Sequence, residues 1–140
     1  MAKLYLALGT NLGDKFSNIH EVLSRLDEAL GSHYEALSSV YRTHAEGFEG
    51  PDFLNSAVRY ECSLDPFKVL AVCKKVEAEM GRVQNVEFGK AGERIYHSRP
   101  IDIDIILYGD MEVKTDYLTI PHPRMKERGF VMDPLKEILV

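Results

Sequence analysis

Cysteine is scarce in this sequence: Cys62 and Cys73 are the two in 140 residues. Neither forms a CxxC pair or a Cys/His set with metal-ligand spacing. That excludes a disulfide framework and a zinc site and leaves two small core residues in a reducing compartment. Long hydrophobic runs are also missing. The first apolar stretch, residues 4–8, stops at Gly9, too short for a secretion-signal core, and no segment approaches the ~20 apolar residues of a membrane span. A basic excess is absent as well. Lys and Arg number 17 against 22 Asp and Glu, a net charge of −5, which argues against general affinity for nucleic-acid phosphates. There is no repeat, linker or low-complexity tract. The expectation is a soluble, cytoplasmic, monomeric protein, one domain over residues 1–140, with neither nucleic acid nor membrane as a partner.

Phosphate-loop signatures are incomplete. Gly9-Thr10-Asn11-Leu12-Gly13 joins a strand over residues 3–8 to a helix, but it lacks both the GK[ST] ending of a Walker A loop and a full GxGxxG. A tight strand-to-helix turn is the simpler reading. The helix opens at Asp14 as N-cap, carries Phe16, Ile19, Leu23, Leu26 and Leu30 at three- and four-residue steps, and ends at Gly31.

Residues 34–43 read as a second strand and 44–52 as a Gly/Pro loop. Residues 53–63 form a third strand. It sets Phe53, Asn55, Ala57, Arg59 and Glu61 on one face and Leu54, Ser56, Val58, Tyr60 and Cys62 on the other. Asp65-Pro66 opens a second helix reaching Met80, with an apolar stripe of Val69, Leu70, Cys73, Val76 and Met80. Glu77 falls inside that stripe, a charge out of place. It is either a residue at the stripe's margin, reaching solvent or paired with an arginine, or a group that helps order a basic or substrate group near the strand of Asp102 and Asp104.

What is plentiful is concentrated at Arg99-Pro100-Ile101-Asp102-Ile103-Asp104-Ile105-Ile106-Leu107-Tyr108. Its β-propensity predicts a strand. Alternation places Ile101, Ile103, Ile105 and Leu107 on one face, and Asp102, Asp104, Ile106 and Tyr108 on the other. Two carboxylates side by side are either solvated on a surface-facing strand edge or, in an apolar setting, raise each other's pKa or need a counter-charge. Mg²⁺ supplies one, since it is usually held by one or two carboxylates together with substrate phosphates. The preceding stretch, 81–99, has no apolar period. It carries Arg82, Lys90, Arg94, His97 and Arg99 between glycines, and it suits a loop closing over a polyphosphate. Beyond the strand come a turn at Gly109, a short return over 112–114 and a Pro-framed segment holding His122. A terminal helix over 133–138 turns Leu135 and Ile138 inward.

The order β-α-β-β-α-β with a C-terminal extension predicts an α+β, ferredoxin-like fold, two helices on one face of an antiparallel sheet. The ordered set Gly9-Thr10-Asn11-Leu12-Gly13, Pro51-Asp52-Phe53-Leu54-Asn55, Arg99-Pro100-Ile101-Asp102-Ile103-Asp104 and Pro121-His122-Pro123-Arg124-Met125…Arg128-Gly129-Phe130-Val131 resembles the 6-hydroxymethyl-7,8-dihydropterin pyrophosphokinases of folate biosynthesis. The resemblance implies transfer of diphosphate from ATP, the co-substrate, to the pterin hydroxymethyl group, with release of AMP. It implies that Asp102 and Asp104 hold two Mg²⁺, and that Arg82 and Arg99 act in catalysis beside them. It implies that Phe53 and Phe130 stack on the pterin, with Asn55 and Thr43 at its edge. Glu77, Arg99, Ile105, Thr119, His122 and Arg128 would bind ATP. Gln84 and Tyr117 stand where some family members carry arginine. The alternative is a non-catalytic ferredoxin-like ligand-binding module, which would be expected to have lost one of the aspartates or stacking aromatics.

Overall fold

The computed structural model describes residues 1–44, 51–81, 87–88, 94–95 and 101–140. The architecture is α+β, an antiparallel sheet with three α-helices. In chain order the elements are β1 (Ala2–Thr10), α1 (Lys15–Leu30), β2 (Ala36–Leu37), β3 (Tyr41–Thr43), β4 (Phe53–Cys62), α2 (Pro66–Glu79), β5 (Glu87–Phe88) and β6 (Arg94–Ile95). They continue with β7 (Asp102–Tyr108), β8 (Val113–Lys114), β9 (Thr119–Ile120), a 3₁₀ turn (Met125–Glu127) and α3 (Gly129–Ile138). The main sheet runs β2-β4-β1-β7, with β3 also paired to β4. Among the described residues no helix is long and apolar enough to cross a membrane.

Alternation along the strands sorts the side chains onto two faces. Leu4, Leu6 and Leu8 of β1, Leu54, Val58 and Tyr60 of β4, and Ile103 and Ile105 of β7 point to one side. There they meet Ile19, Val22, Leu23 and Leu26 of α1 and Val69, Cys73 and Val76 of α2. Among the described residues this cluster has twenty buried members; the cluster on the other face has six, Tyr5, Ala57, Ile106, Val131, Leu135 and Ile138. At about 1.5–3 kcal/mol for each large apolar side chain removed from water, most of the stability comes from the α1/α2 side.

Both predicted helix starts hold. The Asp14 carboxylate accepts the Ser17 N–H at 3.1 Å, and that of Asp65 accepts the Phe67 N–H at 2.8 Å, with Pro66 in the first turn. Gly31 ends α1 in the left-handed region, at φ 75°, where a side chain would be strained. Phe16, expected in the α1 stripe, is instead 57% exposed; the buried stripe begins at Ile19 and takes in Val22. Cys62 and Cys73 are buried free thiols, as core residues should be.

Four expectations are corrected. The strand over 34–43 is two pieces, because the Ser38 hydroxyl takes the Ala57 N–H at 2.8 Å and the Ser39 N–H turns to Glu137 at 2.9 Å. The stretch 81–99 is not wholly without structure, since β5 pairs with β6. The terminal helix starts at Gly129, four residues earlier than expected, and packs α3 on the face opposite α1 and α2. Finally, β7 does not alternate to its end. Leu6 pairs with Ile105 and Tyr5 with Leu107, so Ile106 is an extra residue, a β-bulge. Beyond it the faces exchange. Leu107 lies on the α3 side and Tyr108 joins the α1/α2 core, the reverse of the expected order.

Candidate active site

Among the described residues α3 covers only part of its face of the sheet, and the predicted polar residues gather at the end beyond it. The register pairs Asp102 with Gly9, Gly9 with Asn55, and Asn55 with Tyr41; one step along, Asp104 opposes Ala7, and Ala7 opposes Ala57. Asp102 and Asp104 share this face two residues apart, about 6–7 Å along the strand. Asn55 lies two strands from Asp102, about 10 Å away. The residues between, Gly9 and Ala7, carry little or no side chain. They form a low floor with the acidic pair along one side and Phe53 and Asn55 along the other.

Gly9 was expected in a turn, but β1 continues through Thr10. A Cβ added at Gly9 would sit 3.4 Å from Asn55 Oδ1 and 3.6 Å from the Phe53 ring. This residue is the part of the site that sequence reasoning missed. Its signal was its place opposite Asn55 and Asp102, legible only once the register is known. The residues that follow it serve as a brace. Asn11 Nδ2 donates to the Pro51 carbonyl at 3.2 Å and Lys15 Nζ to that of Asp52 at 2.9 Å, fixing the chain just before Phe53. That favours the turn reading over a phosphate cradle.

Thr43 and Asn55 come together as expected. Thr43 pairs with Phe53 across the β3–β4 ladder, and Asn55 Nδ2 donates to Thr43 Oγ1 at 2.8 Å. Phe130 lies in the first turn of α3, half-buried, with the Arg128 guanidinium 5.5 Å from its ring centre, within cation–π range. The far end of α3 is pinned to the sheet. Glu137 accepts from Ser39 N–H and Tyr41 O–H, Arg59 donates to the Ile138 carbonyl at 2.5 Å, and Tyr5 O–H accepts the Val140 N–H at 3.1 Å.

His122 stands on the same side. Its N–H is taken by the carbonyl of the bulged Ile106 at 2.9 Å, and its Nδ1 accepts the Arg124 N–H at 3.3 Å. A ring nitrogen that accepts is unprotonated. Burial first, then the Arg128 charge, hold His122 below the ordinary histidine range, with Asp102 pulling the other way and Arg124 adding to the lowering. The imidazole is therefore neutral at neutral pH and surrounded by groups of both signs. Thr119, in β9, is half-buried.

Two predicted nucleotide residues lie across the sheet from the aspartates. Ile105 is 5% exposed in the α1/α2 core, and Glu77 is fully buried on α2. The Glu77 carboxylate accepts the Ile103 backbone N–H at 2.8 Å, with Lys74 Nζ 3.6 Å away. Tyr117 is 85% exposed in the β8–β9 connection. Arg82, Gln84, His97 and Arg99 lie outside the described residues, as do Lys90 and the loop 45–50; of Arg94 only the backbone, in β6, is described.

A small α+β domain with an acidic pair facing aromatic and amide groups across a side-chain-poor floor belongs to the class of small-molecule sites built on an open sheet face. Comparison with known proteins gives the family. The family model described as 7,8-dihydro-6-hydroxymethylpterin-pyrophosphokinase matches residues 5–140. A protein of Aquifex aeolicus named 2-amino-4-hydroxy-6-hydroxymethyldihydropteridine pyrophosphokinase is 41% identical over 139 residues, 99% of this chain and 81% of its own length. The Bacillus subtilis protein of the same name is 37% identical over 135 residues, 96% of this chain and 76% of its own. A mitochondrial folate synthesis bifunctional protein of Pisum sativum is 41% identical over 138 residues, but the chain spans only 25% of that relative. The chain belongs to the 7,8-dihydro-6-hydroxymethylpterin-pyrophosphokinase family.

Proposed function

We propose that the chain transfers diphosphate from ATP to the hydroxymethyl group of 6-hydroxymethyl-7,8-dihydropterin and releases AMP, a step of folate biosynthesis. The observation that carries this is the placement of Asp102 and Asp104 on one sheet face with Phe53 and Asn55, across Gly9 and Ala7. Family membership and relatives named as pyrophosphokinases support it over a non-catalytic module. In the reaction the hydroxymethyl oxygen bonds to the β-phosphorus as the bond from that phosphorus to the bridging oxygen of AMP breaks. The hydroxyl proton is lost and the diphosphate stays whole.

In-line transfer of this kind asks for positioning and charge neutralisation more than for a protein nucleophile. Phe53 and Phe130 bind the pterin ring by stacking, and Asn55 and Thr43 hold its polar edge. Arg128 and His122 receive phosphate oxygens, joined by Arg82 and Arg99. Thr119 serves the adenosine end, whereas Ile105 and Glu77, buried on the core side of β7, act on the nucleotide only through the strand they support.

The donor set at the acidic pair fits Mg²⁺. Both ligands are hard carboxylate oxygens, two residues apart on one face of β7, the kind of donor Mg²⁺ takes together with substrate phosphates. Asp102 and Asp104 would hold two such ions, whose charge screens the phosphates and makes the attacking hydroxyl more acidic. The sheet order and the helices on the α1/α2 side support a ferredoxin-like reading of the fold. We take residues 1–140 as one cytoplasmic, monomeric domain binding neither nucleic acid nor membrane.

The experiment is to incubate the protein with ATP, Mg²⁺ and 6-hydroxymethyl-7,8-dihydropterin and follow AMP. Pterin-dependent AMP release that stops on chelation of the metal is expected. No AMP, or AMP released equally without the pterin, overturns the reading.

A further inference from the structure

β7 ends the main sheet among the described residues, with β1 as its neighbour in the ladder. In an antiparallel pair every second residue turns its N–H and C=O away from its partner. Asp102 and Asp104 oppose Gly9 and Ala7, while the N–H of Ile103, between them, points out of the ladder. It would be an orphan donor in an apolar core, at a cost of about 1–3 kcal/mol. Glu77 Oε2 takes it at 2.8 Å from a side chain with no exposure to solvent. The carboxylate is thus spent on the peptide linking Asp102 to Ile103, and it lies across the sheet from where the two aspartate side chains point. Its helix is held against the same strand by Val69, Cys73 and Val76, packed with Ile101, Ile103 and Ile105. Its neighbourhood is close enough to the acidic pair that both Glu77 and Asp104, after burial, push the Cys73 thiol up.

A buried carboxylate is an expensive residue for this position even with Lys74 Nζ 3.6 Å away, because an apolar residue would fit the α2 stripe without the desolvation cost. What it adds is a fixed edge. With Glu77 in place, the ladder holds the residues on either side of Ile103 from within and a side chain holds Ile103 from without.

We infer that Glu77 is a positioning residue for the acidic pair. It sets the spacing and direction of Asp102 and Asp104 through the Ile103 amide, beyond any contact of its own with nucleotide. The inference rests on the proposed reaction only for its consequence; the hydrogen bond itself can be tested without substrate.

The test uses the full chain as wild type, Glu77→Gln and Glu77→Ala. Without metal or nucleotide, the Ile103 amide proton in the wild type is expected to exchange slowly and to lie downfield. In Glu77→Ala it should exchange at least about tenfold faster, and in Glu77→Gln, which retains an acceptor oxygen, it should stay protected. In the assay, Glu77→Ala should raise the Mg²⁺ concentration for half-maximal AMP release about 10–100-fold, the usual reach of a group supporting a metal ligand. Glu77→Gln should lie within about threefold of wild type, and affinity for AMP in the presence of chelator should be unchanged in both.

A wild-type Ile103 amide that exchanges like a solvent-exposed one overturns the inference. So does a Glu77→Gln variant as impaired as Glu77→Ala, or a Glu77→Ala variant whose metal requirement is normal while its metal-free AMP affinity falls. Should the wild type release no AMP, the reaction fails but the amide measurement still decides the role of Glu77. Should Glu77→Ala fail to fold, the wild-type amide and the Gln variant decide it.

Discussion

The two faces of one sheet are built from the same strands and do opposite work. The α1/α2 face takes the even-numbered apolar residues of β1 and β4 and seals them under two helices. The α3 face takes the odd-numbered residues, keeps them small at Ala7 and Gly9, and leaves polar groups half-buried around them. Neighbouring residues of β7 therefore meet different surroundings: Ile103 the buried core, Asp102 and Asp104 the half-buried face. The backbone that carries the acidic pair is fixed by the apolar packing of the alternate residues Ile103 and Ile105 on the other face.

That contrast is open to experiment. The largest effect is expected from Asp102→Ala and Asp104→Ala, which should lower Mg²⁺-dependent AMP release by at least ~10³-fold. Their melting temperature should change little, since neither side chain belongs to the buried apolar core. A fall of many degrees in either variant would show the acidic pair to be structural. Leu6→Ala, one residue from the floor but facing the helices, should do the converse. A loss of about 2–5 kcal/mol is expected, read as a lower midpoint in urea, with turnover per folded molecule kept. Phe130→Ala should weaken pterin binding by about 1–3 kcal/mol, the scale of a lost stacking partner, and leave ATP affinity alone. Calorimetry with each ligand separately checks both halves.

A smaller effect is expected at Gly9. Its backbone is compatible with a side chain, so Gly9→Ala should fold, but the methyl would rise beside Asn55 and Phe53 and cost about tenfold in pterin affinity, ~1.4 kcal/mol. Unchanged affinity would remove Gly9 from the floor of the site. The smallest effect concerns His122. Its folded pKa is lowered, so below about pH 6.5, the ordinary histidine value, the unfolded chain binds the proton more readily. Stability should fall as pH drops from 6.5 toward the folded value. His122→Asn should flatten that part of the pH–stability curve, and an unaltered slope would show that the titration belongs elsewhere.

Much of this was legible in the sequence. The helix caps at Asp14, Asp65 and Gly31 depend on local backbone chemistry, and alternation in β4 depends on a period of two, so both can be read without neighbours. The pairing of Asp102 with Asp104, and the misfit of Glu77 in an apolar stripe, were visible for the same reason. What could not be read depends on contacts between distant segments. The break at Ser38 needs Ala57 and Glu137 as partners; the role of Gly9 needs Asn55 opposite it. The early start of α3 reflects packing of Val131 against the sheet face bearing Tyr5 and Ala57, not a capping signal, for no side chain caps that helix.

The extra residue in β7 carries a consequence for how this chain can vary. Upstream of Ile106 the strand must send its acids outward from the main core, and two residues downstream it must send the Tyr108 ring inward, where its hydroxyl reaches the Leu64 carbonyl at 2.6 Å. At the present spacing of four a strict two-step rhythm would put acids and ring on one face, so the bulge is what separates them. Dropping a single residue there would return the strand to plain alternation with both still correctly placed, whereas adding one to the regular part would bury the acids or expel the ring.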